Sequence, residues 1–200
     1  MKLNNLFWVF ENAVPNRICD YILQHGKAQK EKFATTGESD DLPLDNKNFE
    51  KLKKVRNSKV VWLNYPWLYR EIHEWLNLAN RNAGWNFQWS SSESCQFTKY
   101  SGDEKQHYDW HTDSAPNPNE YGLIRKLSMS LSLVDGTEYE GGDFEVNDLS
   151  PQNNKIHQVK SLKKKGSIVV FPSFVWHRVT PITKGTRYSL VSWHLGSPHT

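Results

Sequence analysis

Apolar and polar positions along the chain change period more than once, and each change marks an element. Leu6 to Phe10 alternates and is aromatic, the pattern of a first strand. Pro15 to Gln29 instead places Ile18, Tyr21 and Ile22 at helical spacing. Glu31 to Phe49 is polar, acid-rich and has little to bury, so it reads as a long loop and a candidate cover for a substrate. Strand character returns over Val55 to Leu63. Pro66 to Ala83 then reads as a helix that Pro66 starts and Gly84 ends, with Leu68, Ile72, Trp75 and Leu76 on one face to pack on a sheet.

From Phe87 onward short strands dominate, separated by turn signals at Ser101-Gly102-Asp103, Gly141-Gly142 and Lys184-Gly185. Strands in such succession predict a jelly roll. In Leu127 to Leu133, the residues Leu127, Met129, Leu131 and Leu133 alternate with serines, so the apolar set is expected to face the core or a pocket and the serines the other face. No internal repeat or low-complexity tract interrupts the pattern.

Composition narrows the class. Two hundred residues fit one domain, 1–200, able to bury a core and line a cavity, and nine Trp, nine Phe and eight Tyr suit a sandwich or barrel with a pocket inside. No apolar run approaches a membrane span, and Met1 to Phe10 lacks the features of a secretory signal, so a cytoplasmic protein is expected. Cys19 and Cys95 are too few and too far apart for a disulfide framework or a zinc knuckle and read as buried thiols. A net charge of +3 is mild. The Lys-rich stretches Lys51 to Arg56 and Lys163 to Lys165 therefore read as solvated faces, and nucleic acid is not an expected partner. Oligomeric state is not legible in the chain.

The chemistry-bearing residues follow the strand period. In an extended segment, residues i and i+2 share a side, so His111 and Asp113 can converge on one ion. Val175, His177 and Val179 alternate after the apolar run Ile168 to Phe171, which makes His177 a third ligand candidate. Two histidines and one carboxylate on one face of an iron leave positions open for oxygen chemistry. A second His-x-Asp, His107 with Asp109, competes, and spacing alone does not choose between the two. Further along, Arg187 shares a strand face with Ser189, Val191 and Trp193, opposite Tyr188, Leu190, Ser192 and His194. A buried guanidinium there needs an anion, and its planar fork matches a carboxylate.

The stretches Lys99 to Ser114 and Trp176 to Leu190 together resemble the Fe(II)/2-oxoglutarate dioxygenase superfamily, with the prolyl 4-hydroxylase-like branch nearest. That branch has a Tyr and a Gly turn before its His-x-Asp and an aromatic three residues before the first ligand; Tyr100, Gly102 and Tyr108 match if that ligand is His111, which sets the register against His107. The likeness runs from about Val55 to the end.

The resemblance implies a mostly β chain with flanking helices and a double-stranded β-helix (jelly-roll, cupin-like) core. Fe(II) would be held by His111, Asp113 and His177, and 2-oxoglutarate would be the cosubstrate, its far carboxylate on Arg187. Tyr100 would hydrogen-bond the cosubstrate, Ser189 would assist at its far end, and Trp193 would wall the pocket. Dioxygen would be consumed and succinate and carbon dioxide released, with ascorbate a candidate reductant and no acid or base residue required. Asp113 favours hydroxylation over halogenation, since halogenating relatives carry a small residue there.

Peptidyl proline is the expected substrate, with 31–49 and Ala115 to Gly122 as walls of a groove. Other amino-acid or small-molecule substrates are the alternatives. Nucleic-acid demethylases match less well, because they place a second Arg where this chain has Trp193. Some prolyl hydroxylases add a Tyr to the far-carboxylate site on the strand that here reads Leu127 to Leu133, a departure that leaves the second cosubstrate contact open. Trp110 and Trp176, each beside a ligand, are given no catalytic role. A silent cupin-like binding module is the rival class; such relatives commonly lose a ligand or the cosubstrate Arg, and this chain keeps His111, Asp113, His177 and Arg187.

Overall fold

The computed structural model describes residues 3–36, 46–148 and 155–199. The chain opens with β1 (Trp8–Phe10), α1 (Asn16–Lys27), β2 (Lys32–Phe33), α2 (Asn46–Val55), β3 (Arg56–Asn57), β4 (Lys59–Leu63) and α3 (Pro66–Asn82). Strands then follow almost without interruption: β5 (Ser91–Ser92), β6 (Cys95–Ser101), β7 (His107–His111), β8 (Ile124–Ser132), β9 (Tyr139–Gly141) and β10 (Phe144–Asp148). The last are β11 (Lys155–Gln158), β12 (Ile168–Pro172), β13 (Trp176–Val179) and β14 (Ile182–Gly196).

These strands form two sheets. The larger runs β1-β12-β8-β14-β6-β4-β2, with β5 and β9 also paired to β14, and the smaller runs β11-β10-β13-β7-β3. All pairings are antiparallel. The fold class is the expected one, mostly β with flanking helices around a jelly-roll core.

Two apolar cores lie on either side of the larger sheet. Ile22 of α1 and Leu68, Ile72 and Leu76 of α3 pack with Leu127, Met129 and Leu131 of β8 and Phe97 of β6. Between the sheets, Phe144 and Val146 pack with Val169, Phe171, Val179 and Ile182. The helix ends follow their punctuation: Pro66 stands in the first turn of α3, and Gly84 takes φ +73 beyond its end, its N–H donating to the carbonyl of Arg81. Cys19 and Cys95 are buried free thiols, as expected.

Two expectations change, and a third gains detail. The stretch 31–49 is not one loop. Lys32 pairs with Val60 on β4, the rings of Phe33 and Phe49 pack 4.7 Å apart, and α2 begins at Asn46; residues 37–45 of the expected cover lie outside the described residues. A few apolar side chains were enough to fix a strand and a helix there. In β8 the apolar residues face the helices, while Ser128, Ser130 and Ser132 are equally buried on the face toward the smaller sheet. The apolar set thus packs in the core and the serines take the other face, as expected, so that the serines line the space between the sheets. Finally, α2 ends at Val55, so the Val55 to Leu63 stretch holds two strands rather than one.

The basic stretch Lys163 to Lys165 is paired with Asp143, Glu11 and Asp20. No helix among the described residues is long and apolar enough to cross a membrane.

Gly26, on the buried face of α1, lets the helix approach the larger sheet. A Cβ there would stand 2.4 Å from the ring of Phe97. Gly26→Ala is expected to destabilise the protein by about 1–3 kcal/mol through overpacking, read as a lower urea midpoint at unchanged m-value.

Candidate metal centre and cosubstrate cleft

Strand pairing brings the centre together. β13 lies antiparallel to β7 with His177 directly opposite His111. The chain leaves β7 after His111, and the turn that follows is tied to the β12–β13 turn: the N–H groups of Asp113 and Ser114 both donate to the carbonyl of Ser173, at 2.8 and 3.1 Å. His111, Asp113 and His177 offer ligand atoms that all lie within 4.8 Å of one another. The Asp113 carboxylate bridges the rings, with Oδ1 3.8 Å from His111 Nε2 and Oδ2 3.6 Å from His177 Nε2.

The other ring nitrogens orient the two imidazoles. His111 Nδ1 lies 2.7 Å from the carbonyl of Asp109 and His177 Nδ1 lies 2.9 Å from that of Val175. A carbonyl only accepts, so each Nδ1 carries a hydrogen, which leaves each Nε2, the atom nearer the carboxylate, as the one available to a metal. Backbone carbonyls orient metal-ligating histidines in the same way. Burial, reinforced by the neighbouring His177, pushes the His111 imidazole down to about 3, which keeps it neutral near pH 7. Burial opposes the charge on Asp113, but His177, His111, Arg125 and the Ser128 hydroxyl together hold its carboxyl below the usual range. Its Oδ2 is buried without a hydrogen-bond donor among the described residues. A buried carboxylate oxygen left unpaired is costly, and a cation between the three groups would satisfy it. Two imidazoles and one carboxylate fit Fe(II).

Aromatic rings close the centre. Tyr108 stacks on His111 at 3.4 Å, and the guanidinium of Arg56 covers the outer face of Tyr108 at 4.5 Å. Phe171 packs on His177 at 4.5 Å. Arg56 is only 7% exposed and donates to the Thr35 carbonyl, Gln96 Oε1 and Ser58 Oγ. The reading of Lys51 to Arg56 as a solvated face thus fails at its last residue, because three acceptors and a ring replace its water.

Arg187 lies deeper between the sheets, opposite Tyr100 on β6 and 2% exposed. It donates to Ser189 Oγ at 3.3 Å, and its guanidinium stands 5.6 Å from the Tyr100 ring centre. No carboxylate among the described residues forms an ion pair with it. Tyr139, Gly142, Phe144 and Leu162 enclose it. Gly142, noted in the sequence only as a turn signal, has φ +63, and a Cβ there would meet Ile182 Cδ1 at 2.1 Å and Arg187 Cδ at 3.2 Å. Tyr100 is buried, which pushes the pKa of its hydroxyl up. Trp193 is buried on the same strand face, its Nε1 without a partner among the described residues, 6.0 Å from the half-exposed Trp62.

The other candidates stand apart. His107 turns Nε2 to the Lys54 carbonyl and Nδ1 to that of Lys105. Trp110 lies under the Arg178 guanidinium, and Trp176 is 40% exposed. Both belong to the outer side of the smaller sheet. Sequence reasoning missed Arg56, Glu93, Arg125 and Ser128, whose partners come mostly from distant parts of the chain; the one local signal was the charged pair Arg125-Lys126 at the start of a strand that is apolar and serine-rich beyond it.

A jelly roll with a buried two-histidine, one-carboxylate cluster between its sheets defines a class of metal-dependent oxygenase folds. Residues 95–195 match the model of the 2OG-Fe(II) oxygenase superfamily. The chain belongs to that family, and membership implies Fe(II) and 2-oxoglutarate. Among curated proteins, it is 36% identical over 140 residues to a PKHD-type hydroxylase of Nitrosomonas europaea, covering 67% of this chain and 58% of that protein. It is 42% identical over 93 residues to one from Azoarcus sp., covering 46% of this chain and 38% of that protein. The matches thus span about half the length of these relatives.

Solved structures share the fold. A Pseudomonas putida prolyl-4-hydroxylase aligns with a TM-score of 0.67 at 19% identity, over 96% of this chain and 92% of that one. A prolyl hydroxylase from Trichoplax adhaerens, solved in complex with a hypoxia inducible factor peptide fragment, aligns with a TM-score of 0.64 at 18% identity, over 96% and 84%.

Gly142→Ala is expected to cost about 1–2 kcal/mol from the positive φ alone, more if Ile182 cannot yield, measured by chemical denaturation.

Proposed function

We propose that the protein is an Fe(II)- and 2-oxoglutarate-dependent hydroxylase acting on a proline residue of a peptide or protein. The observation that carries this reading is the pairing of two unsatisfied sites in one cleft. One is the His111, Asp113 and His177 cluster with its unpaired carboxylate oxygen; the other is the buried Arg187 with no carboxylate partner among the described residues. A dicarboxylate with a keto group at one end satisfies both at once. When bound, iron and 2-oxoglutarate supply oxidation by dioxygen, placing a hydroxyl on an unactivated C–H bond with release of succinate and carbon dioxide.

The chain's own residues bind, orient and exclude water. His111 and His177, each held by a carbonyl at Nδ1, and the Asp113 carboxylate would hold the metal. Arg187 would take the far carboxylate bidentately, supported by Ser189, in a pocket whose low polarity strengthens the pairing. Tyr100 would donate its hydroxyl to the cosubstrate, and Trp193 would wall the pocket. No residue need move a proton to or from substrate. Proline as substrate is supported by the family match, by relatives described as PKHD-type hydroxylases and by the fold shared with prolyl hydroxylases. Ala115 to Gly122, exposed beside the Asp113 turn, would form one wall of the groove.

Anaerobic titration with Fe(II) and 2-oxoglutarate is expected to give the weak visible band of the chelate, and oxygen then to give succinate in amounts raised by proline-containing peptides. A band without peptide stimulation would overturn proline as substrate; no band in folded protein would overturn the enzyme and leave a binding module. His177→Ala and Asp113→Ala are expected to abolish metal binding and turnover. Arg187→Ala is expected to raise the 2-oxoglutarate KM by about 10²-fold, the loss of a charge-assisted contact worth about 2–3 kcal/mol, with Fe(II) affinity retained.

A further inference from the structure

Arg125, at the start of β8, lies beside the metal centre and is unused by the chemistry above. Its Nε and one terminal nitrogen donate to the two oxygens of Glu93, at 2.8 and 2.5 Å. The other terminal nitrogen donates to the backbone carbonyl of Asp113 at 3.3 Å, and the guanidinium carbon lies over the Trp193 ring, 4.3 Å from its centre. Glu93 is itself anchored: its N–H donates to the Trp193 carbonyl, and its own carbonyl accepts from the Tyr69 hydroxyl of α3.

We propose that Glu93 and Arg125 are a positioning pair for the metal ligand Asp113. The inference rests on the reading of Asp113 as an Fe(II) ligand. The Asp113 turn leaves the end of β7 and is gripped on its N–H side by the Ser173 carbonyl. On the other side, Arg125 takes the Asp113 carbonyl, and its remaining arms are locked by Glu93, so the peptide unit cannot rotate. With the backbone held from both sides, the carboxylate is presented between the two Nε2 atoms before any metal arrives. Each arm of the guanidinium has a partner and one face is covered by Trp193, so this cation serves the turn and not an anionic substrate. Glu93 never reaches the ligand atoms; it acts through Arg125.

Partners that orient metal ligands typically change metal affinity by about 10–100-fold when removed. The experiment titrates the metal-free chain with Co(II), whose visible d–d bands report coordination, and anaerobically with Fe(II), for wild type, Asp113→Ala, Glu93→Gln and Arg125→Lys. Glu93→Gln keeps the shape and one acceptor, so it tests the pair even if Arg125→Lys folds poorly. Both are expected to bind metal about 10–100-fold more weakly, with altered d–d bands. The thermal midpoint of metal-free Glu93→Gln should stay near that of wild type, and its 2-oxoglutarate affinity at saturating metal should be unchanged.

Wild-type metal affinity and spectrum in Glu93→Gln, alongside loss of binding in Asp113→Ala, would overturn the pair's role and leave the proposed function standing. A fall in thermal midpoint with unchanged metal affinity would overturn it too, as a purely structural ion pair. Undiminished binding in Asp113→Ala, or none in wild type, would overturn the ligand assignment and this inference with it.

Discussion

Antiparallel pairing of β7 with β13, with His111 opposite His177, is the constraint on which the site depends. Side chains alternate faces along a strand, so a slip of one residue would turn His177 outward and bring Trp176 or Arg178 into the cleft. The same pairing decides the outer face, where Arg178 covers Trp110 and bonds Glu145. It also brings the β12–β13 turn to the Asp113 turn, where the Ser173 carbonyl takes two N–H groups. One register thus sets both histidines and the approach of the carboxylate.

The cleft between the sheets concentrates charge that apolar packing alone would reject. Three arginines enter it, and each is compensated differently. Arg56 has three acceptors and the Tyr108 ring, and Arg125 has Glu93 and a backbone carbonyl. Arg187 has only a hydroxyl and a ring among the described residues. Since burying an uncompensated ion costs several kcal/mol, the first two are satisfied by the fold, and the proposed cosubstrate carboxylate would compensate the third. The serine face of β8 suits this interior, offering small hydroxyls such as Ser128, which bonds Ser173 beside the Asp113 turn.

Much of this could be read along the chain, and the limits were physical. The helix from Pro66 and the long strand carrying Arg187 showed themselves because burial on one side imposes a period. The stretch Glu31 to Phe49 misled because two of its sparse apolar residues, Phe33 and Phe49, pack on each other across the stretch, and its start pairs with β4. Arg56 misled for a related reason: it ends a lysine-rich run, yet its acceptors come from Thr35, Ser58 and Gln96.

What the sequence by itself determined is what depends on local order and residue type: the strand-rich class, the His-x-Asp with its later His, and a strand placing Arg187 and Ser189 on one face. A spacing of two on an extended chain and the donor chemistry of each side chain suffice for that. What only the tertiary structure decided is which groups meet across strands. His177 faces His111, both Nδ1 atoms are committed to carbonyls, Arg125 reaches the Asp113 carbonyl, and the serines of β8 turn toward the cleft. These relations depend on register and sheet stacking, which arise from contacts between residues far apart in the chain.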